Sequence, residues 1–183
     1  EREGYSPNRF AKSLRTKESN TIGIMVEDST AFQTPRIING INNYVEKQGY
    51  AVILNNMSLL EKTGNHYSEL SSYQSAISKS IKLFNKTQID GLVYVAMHVM
   101  ELIPKLSIPI VLVYCYDTSK NNYYVTYDNV DVIVDVAECL MKRGNEKIGV
   151  IKGAEDSLPS QKRLKSFITQ LKKEGKELKE EYI

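Results

Sequence analysis

Few residues in this chain have the types and spacing that chemistry requires. Of its two histidines, His66 stands alone and His98 follows an apolar run at a strand end. A lone histidine there is a loop residue or a hydrogen-bonding contact, since nucleophilic catalysis also needs an adjacent nucleophile and an orienting acid. There is no GxSxG elbow, no phosphate-cradling GxxxxGK[ST] and no GxGxxG after the first apolar run. The two cysteines, Cys115 and Cys139, show neither CxxC nor histidine spacing, so no metal site or cofactor is expected and both are read as buried reduced thiols. The reading is therefore not an enzyme. What remains is binding chemistry by cations. Arg2, Arg9, Lys12, Arg15 and Lys17 crowd the first 17 residues against Glu1 and Glu3 alone, a charge pattern suited to phosphates. Arg163, in the run Lys162-Arg163-Lys165, reads on pattern alone as a solvated surface residue.

The elements that must hold these residues follow from apolar period. Short apolar runs alternate with longer stretches of three- and four-residue spacing, the pattern of βαβ units on a parallel sheet. Strands are expected at residues 21–27, 50–55, 91–97, 109–115 and 123–127, and a further buried strand at 147–153. Thr34-Pro35 reads as an N-cap with proline at N1, and Ile37, Ile38 and Ile41 follow at helical steps until Gly49 closes the helix. A helix of about 20 residues is expected from Asn65 through Tyr73, Ile77 and Phe84. Asp128-Asn129 should cap another, carrying Val132, Val136, Ala137, Leu140 and Met141 and stopped by Gly144. A last helix runs over 159–174 through Leu164, Phe167, Ile168 and Leu171, with Gly175 as its stop. The fold class is α/β, a doubly wound parallel sheet whose ligand contacts lie at the carboxyl ends of the strands.

Composition agrees with a globular protein: of 183 residues 42% are hydrophobic and 25% charged, and the net charge is only +2. The longest apolar runs are strand-sized, well short of the roughly 20 residues that span a bilayer, so no membrane partner is expected. Residues 1–20 are polar and charged, without the apolar core of a secretory signal, which points to the cytoplasm.

Several segments, in order and at matching spacing, resemble the lactose-repressor (LacI/GalR) family of transcriptional regulators along the full length of the chain. GYSPNRFAKSLRTKESNTIGIMVED is the most specific, similar to the family's passage from the end of the DNA-binding headpiece through a hinge helix into the first core strand. QIDGLVYV, IPIVLV, VTYDN, LMKRGNEKIGVIKG and QKRLKSFITQLKKEG continue the match. The resemblance implies a protein of roughly twice this length, with a helix-turn-helix headpiece before Glu1 and more of a second subdomain after Ile183. It divides the chain into headpiece end and hinge (1–19), an N-terminal effector-binding subdomain (20–127) and the start of a C-terminal one (128–183), a periplasmic-binding-protein-like architecture cut short.

The resemblance also implies roles. In the hinge, Leu14 matches a leucine that wedges between base steps in the minor groove, Ala11 permits close approach of the paired helices, and Asn8, Lys12 and Arg15 complete the DNA contacts. A helix of about two turns is too short to hold alone, so the hinge should order only on operator DNA. Effector contacts carry over to Arg163, Ser160 and Asp128, the last of which is equally suited to capping a helix, and to Phe32 and His98. The implied partners are operator DNA, a small-molecule effector such as a sugar or related metabolite, and a second copy through the N-terminal subdomain. Two positions depart from the family. Ala31-Phe32-Gln33-Thr34 replaces an asparagine-proline-aromatic-aromatic loop, and Tyr114 replaces an acid at the end of the fourth strand. A periplasmic-type sugar-binding protein shares the architecture but not the hinge segment YSPNRFAKSL, and a protein-binding module is the other alternative.

Overall fold

The computed structural model describes residues 19–63, 70–96, 106–115, 122–153, 155 and 157–183. They gather into two compact units, one ending at Val125 and the other beginning at Thr126.

The first unit is a five-stranded, all-parallel sheet in the order β2-β1-β3-β4-β5. Its strands are β1 (Thr21–Val26), β2 (Ala51–Asn56), β3 (Gly91–Val95), β4 (Ile110–Val113) and β5 (Tyr123–Val125), each within an expected apolar run except that β2 extends one residue past its own. The helices are α1 (Thr34–Lys47), the short α2 (Leu59–Thr63), which periodicity had not signalled, and α3 (Leu70–Thr87). Alternation of side chains along each strand gives the sheet two buried faces, as parallel sheets require. On one face Ile24, Val26 and Val95 form a core closed by Ile37, Ile38 and Ile41 of α1. On the other, Gly23 faces Phe84 of α3 and Ile89.

The second unit contains α4 (Asp131–Lys142), α5 (Leu158–Lys173) and a 3-10 turn at Glu180–Tyr182. Ala137, Phe167 and Leu171 are its buried centre, with Ile133, Leu140 and Met141 packed around them. The apolar face of α4 therefore centres on Ile133 and Ala137, whereas the expected Val132 and Val136 are exposed. The buried strand expected at 147–153 does not form. Apolar residues alone do not make a strand, which needs a ladder partner for its backbone groups, and among the described residues this segment's backbone bond is Val150 N–H to the Tyr182 carbonyl at 2.8 Å. Ile151 is accordingly fully exposed. Cys139, read as buried, is exposed on α4, while Cys115 is buried two residues past β4.

Three helices end identically. After α1, Gly49 (φ +80°) donates to Glu46 and Tyr50 to Val45; Gly144 and Gly175 close α4 and α5 with the same two bonds. This is the Schellman arrangement, whose left-handed residue glycine adopts without a Cβ clash. Gly49→Ala meets no steric neighbour, so its expected cost is the left-handed conformation alone, about 1–2 kcal/mol, read as a lowered urea midpoint at unchanged slope. The start of α1 differs by one residue from expectation: Gln33 is the N-cap and Thr34 already helical.

Candidate functional site

At the carboxyl ends of the first unit's strands lies a buried polar group. Glu27 follows β1 and is 8% exposed, and Tyr94 in β3 and Cys115 beyond β4 are buried beside it. The Tyr94 hydroxyl has no hydrogen-bond partner among the described residues. Burial, and then the charges of Glu27, Cys115 and Tyr73, push its ionisation well above the ordinary phenol value. Burial first, and Glu27 second, also push the Cys115 thiol up to about 12. Both groups are thus neutral at physiological pH. Phe32, in the loop between β1 and α1, is 88% exposed and packs on no core. Asp28 accepts from the backbone and hydroxyl of Thr30, fixing the turn that carries that loop. Tyr114 takes a left-handed φ of +67°, rare for a bulky residue, while its N–H bonds Val125 O and ties β4 to β5. His98 and the hinge residues Asn8, Ala11, Lys12, Leu14 and Arg15 lie outside the described residues.

In the second unit, a cavity of about 400 Å³ opens between α4, α5 and the extended segment at residues 149–153. That volume suits a small ligand. Ile133, Val136 and Leu140 of α4 and Leu164 and Phe167 of α5 make its apolar wall. The polar lining is Lys152, Ser160 and Arg163. Sequence and packing explain each placement. Gly153 approaches α5 so closely that a Cβ there would sit 2.9 Å from Ser160 Oγ, and in that space its N–H donates to the same oxygen at 3.0 Å. This bond ties the end of the extended segment to the first turn of α5. Arg163 lies one turn on from Ser160 and reaches the same cavity. Its guanidinium has no hydrogen bond or ion pair among the described residues, whereas Lys152 pairs with Glu155 at 3.0 Å.

Two of the expected effector residues, Ser160 and Arg163, are thus brought together. Asp128 is not among the cavity's lining. Its carboxylate accepts from the Val130 and Asp131 backbone N–H groups at 2.7 and 3.1 Å in the turn that leads into α4, whose N-cap is Val130 rather than the expected Asp128-Asn129, and these bonds hold its ionisation below the usual carboxylate value. Lys152 and the apolar wall were not singled out from sequence. The wall residues recur at i, i+3 and i+7 along α4, a spacing that reads equally as core.

Among the described residues no group of histidine, cysteine and acidic side chains gathers in a way that could hold a metal ion. Nor is any helix among them long and apolar enough to cross a membrane.

No protein-family model matches the chain. The HTH-type transcriptional regulator RegA of Clostridium acetobutylicum is 30% identical over 147 residues, which is 77% of this chain and 40% of that regulator. A crystal structure described as a LacI-family regulator from Rhizobium etli superposes with a TM-score of 0.67 at 25% identity, over 88% of this chain and 54% of that one. The periplasmic binding protein/LacI transcriptional regulator of Alkaliphilus metalliredigens, complexed with D-xylulofuranose, gives 0.67 at 20% identity, over 86% and 54%, a likeness of fold. The chain spans about half the length of the curated relatives it matches. In sequence and in fold it is a LacI-family chain over the effector-binding part of those regulators.

Proposed function

We propose that this chain is the effector-sensing part of a transcriptional repressor, in which a small metabolite bound at the second unit alters affinity for operator DNA. The observation that carries the reading is the Arg163 guanidinium, which has no hydrogen bond or ion pair among the described residues and lines a ligand-sized cavity beside the tie between Gly153 and Ser160. Arg163 is exposed, so its charge contributes little to folding, and a planar guanidinium beside an apolar wall is suited to the hydroxyl or carboxylate groups of a ligand. Sugar-type effectors are one class to be tried, since a fold neighbour is complexed with a pentulose. Phe32, His98 and Asp128 are proposed as further contacts. In the proposed coupling, ligand binding favours one arrangement of the two units in a homodimer, and that arrangement orders or releases the hinge. Asn8, Ala11, Lys12, Leu14 and Arg15 there would meet the minor groove and its phosphates. The curated relatives include an HTH-type transcriptional regulator and a ribose operon repressor, which favours this reading over a periplasmic sugar-binding protein.

The test uses the whole protein of which these residues are part, labelled operator DNA, and a panel of sugars and metabolites read by fluorescence anisotropy. A compound that changes operator affinity is expected, and Arg163→Ala should raise the concentration needed by about tenfold or more, as loss of a charged hydrogen bond implies. Ligand-free operator affinity should stay within about twofold. An effector response that survives Arg163→Ala unchanged overturns the assignment of this cavity.

A further inference from the structure

Not every apolar residue of α4 faces the core of the second unit. Ile133, Ala137, Leu140 and Met141 pack inward, whereas Val132 (56% exposed), Val136 (44% exposed) and Cys139 follow one another at steps of four and three and form a separate stripe open to solvent. Arg143, four residues further on, continues it. Branched valines lower helix propensity, and at exposed positions no burial offsets that cost. An apolar stripe of this spacing is what a helix presents to another helix.

The charges beside the stripe say which helix. Asp131 and Asp135 stand at the start of α4 and Lys142 and Arg143 at its end, all of them exposed. Lys142 pairs with Glu138 at 3.4 Å, a surface contact that is readily exchanged, and the side chains of Asp131, Asp135 and Arg143 make no ion pair among the described residues. A helix that is acidic at one end and basic at the other suits its own dipole, and it is also complementary to itself reversed. With two copies antiparallel about a two-fold axis between Val136 and Cys139, Val136 meets the partner's Cys139. Val132 meets the aliphatic stem of the partner's Arg143, Asp131 meets the same guanidinium, and Asp135 meets the partner's Lys142. The two-fold axis makes each contact twice. A parallel arrangement would set acid against acid and cation against cation.

We infer that α4 pairs, antiparallel, with α4 of a second copy of this chain through Val132, Val136 and Cys139. This contact lies in the second unit and is separate from the N-terminal pairing that the resemblance implies. A helix of 12 residues is about 18 Å long, and a pair of that length buries less than the roughly 1,200 Å² of a stable interface, so the pairing is weak and depends on concentration. In dilute solution the copies separate and Cys139 is open to reagents.

Cys139 is also the reporter. In this register the two Cys139 positions lie about 10 Å apart, from an interaxial spacing of about 9 Å and an axial offset of about 4.5 Å, within the span of a short bis-maleimide. At about 0.5 mM the 183-residue chain should give a cross-linked dimer that is lost with Cys139→Ser and falls steeply on dilution to about 5 µM. Val132→Lys, which sets a cation against the partner's Arg143, should cut the yield at least about fivefold. Asp131→Lys with Asp135→Lys should do the same, as should Lys142→Glu with Arg143→Glu. Mixing these two double variants should restore the cross-link between unlike chains, which mass spectrometry reads. All these positions are exposed, and far-UV circular dichroism checks that the helices are kept. A yield indifferent to the substitutions, or double variants that stay apart when mixed, overturns the inference. So does a Cys139 that in the whole protein is protected from maleimide yet never linked to its twin, since the rest of the same chain then covers the stripe.

Discussion

Phe84→Ala is expected to destabilise the first unit by about 3–5 kcal/mol, measured as a fall in the urea midpoint. Phe84 is 1% exposed and lies on α3 against the one position of β1 that has no side chain. A Cβ on Gly23 would come within 2.6 Å of Ile89 Cδ1 and 3.0 Å of Phe84 Cε1. The ring therefore occupies the space that glycine vacates, and its removal leaves a cavity that β1, held in the sheet by ladders to β2 and β3, cannot close. The loss is a large share of the 5–15 kcal/mol that typically holds a domain. The reciprocal change is informative. Gly23→Ala should cost about 1–3 kcal/mol by overpacking, since the end of Ile89 can rotate but the buried ring cannot. Combining Gly23→Ala with Phe84→Leu should cost less than the sum of the two, because the smaller side chain makes room for the methyl. Strict additivity would mean that Gly23 and Phe84 are not packed as described.

That packing also shows how far the sequence could be read. The alternation of strand and helix was legible because each buried strand is a nearly continuous apolar run, as in Ile22 to Val26 and Ile110 to Val113, and because glycines at helix ends mark left-handed stops. Residues 147–153 carry a similar run and yet form no strand, because a strand is a property of two chains of backbone groups and a sequence shows only one. The role of Gly23 was not legible either. Nothing local distinguishes a glycine that admits a ring from one that merely weakens a strand. In the cavity, Arg163 and Ser160 were found through resemblance, but Lys152 was hidden in a lysine-rich sequence and the wall of α4 had the period of an ordinary core. Asp128 shows the converse limit. Its two possible roles were both visible in the pattern, and its carboxylate is taken up by the backbone N–H groups of the turn that leads into α4.

Cys139 should react with a thiol reagent far faster than Cys115 at pH 8. Cys139 lies exposed on α4. Cys115 is 3% exposed, and burial, reinforced by the Glu27 carboxylate, lifts its ionisation from an ordinary 9.0 to about 12. Only the thiolate attacks, so at pH 8 roughly one molecule in ten thousand is reactive at Cys115, before access is considered. Mass spectrometry of iodoacetamide-treated chain should therefore show one fast label, removed by Cys139→Ser, with the second appearing only on addition of denaturant. The same shift makes folding sensitive to alkali. The folded state keeps the Cys115 proton that the unfolded chain releases above about pH 9. Stability conferred by that proton is thus fully present below pH 9 and is lost as pH rises toward 12, a loss of up to about 4 kcal/mol. Cys115→Ala should flatten that part of the stability profile, leaving the share carried by Tyr94, whose ionisation moves the same way. Two thiols labelled at equal rates at pH 8 in the folded chain would show that the carboxyl end of β4 opens freely to solvent, and that Glu27 and Tyr94 are not enclosed with it.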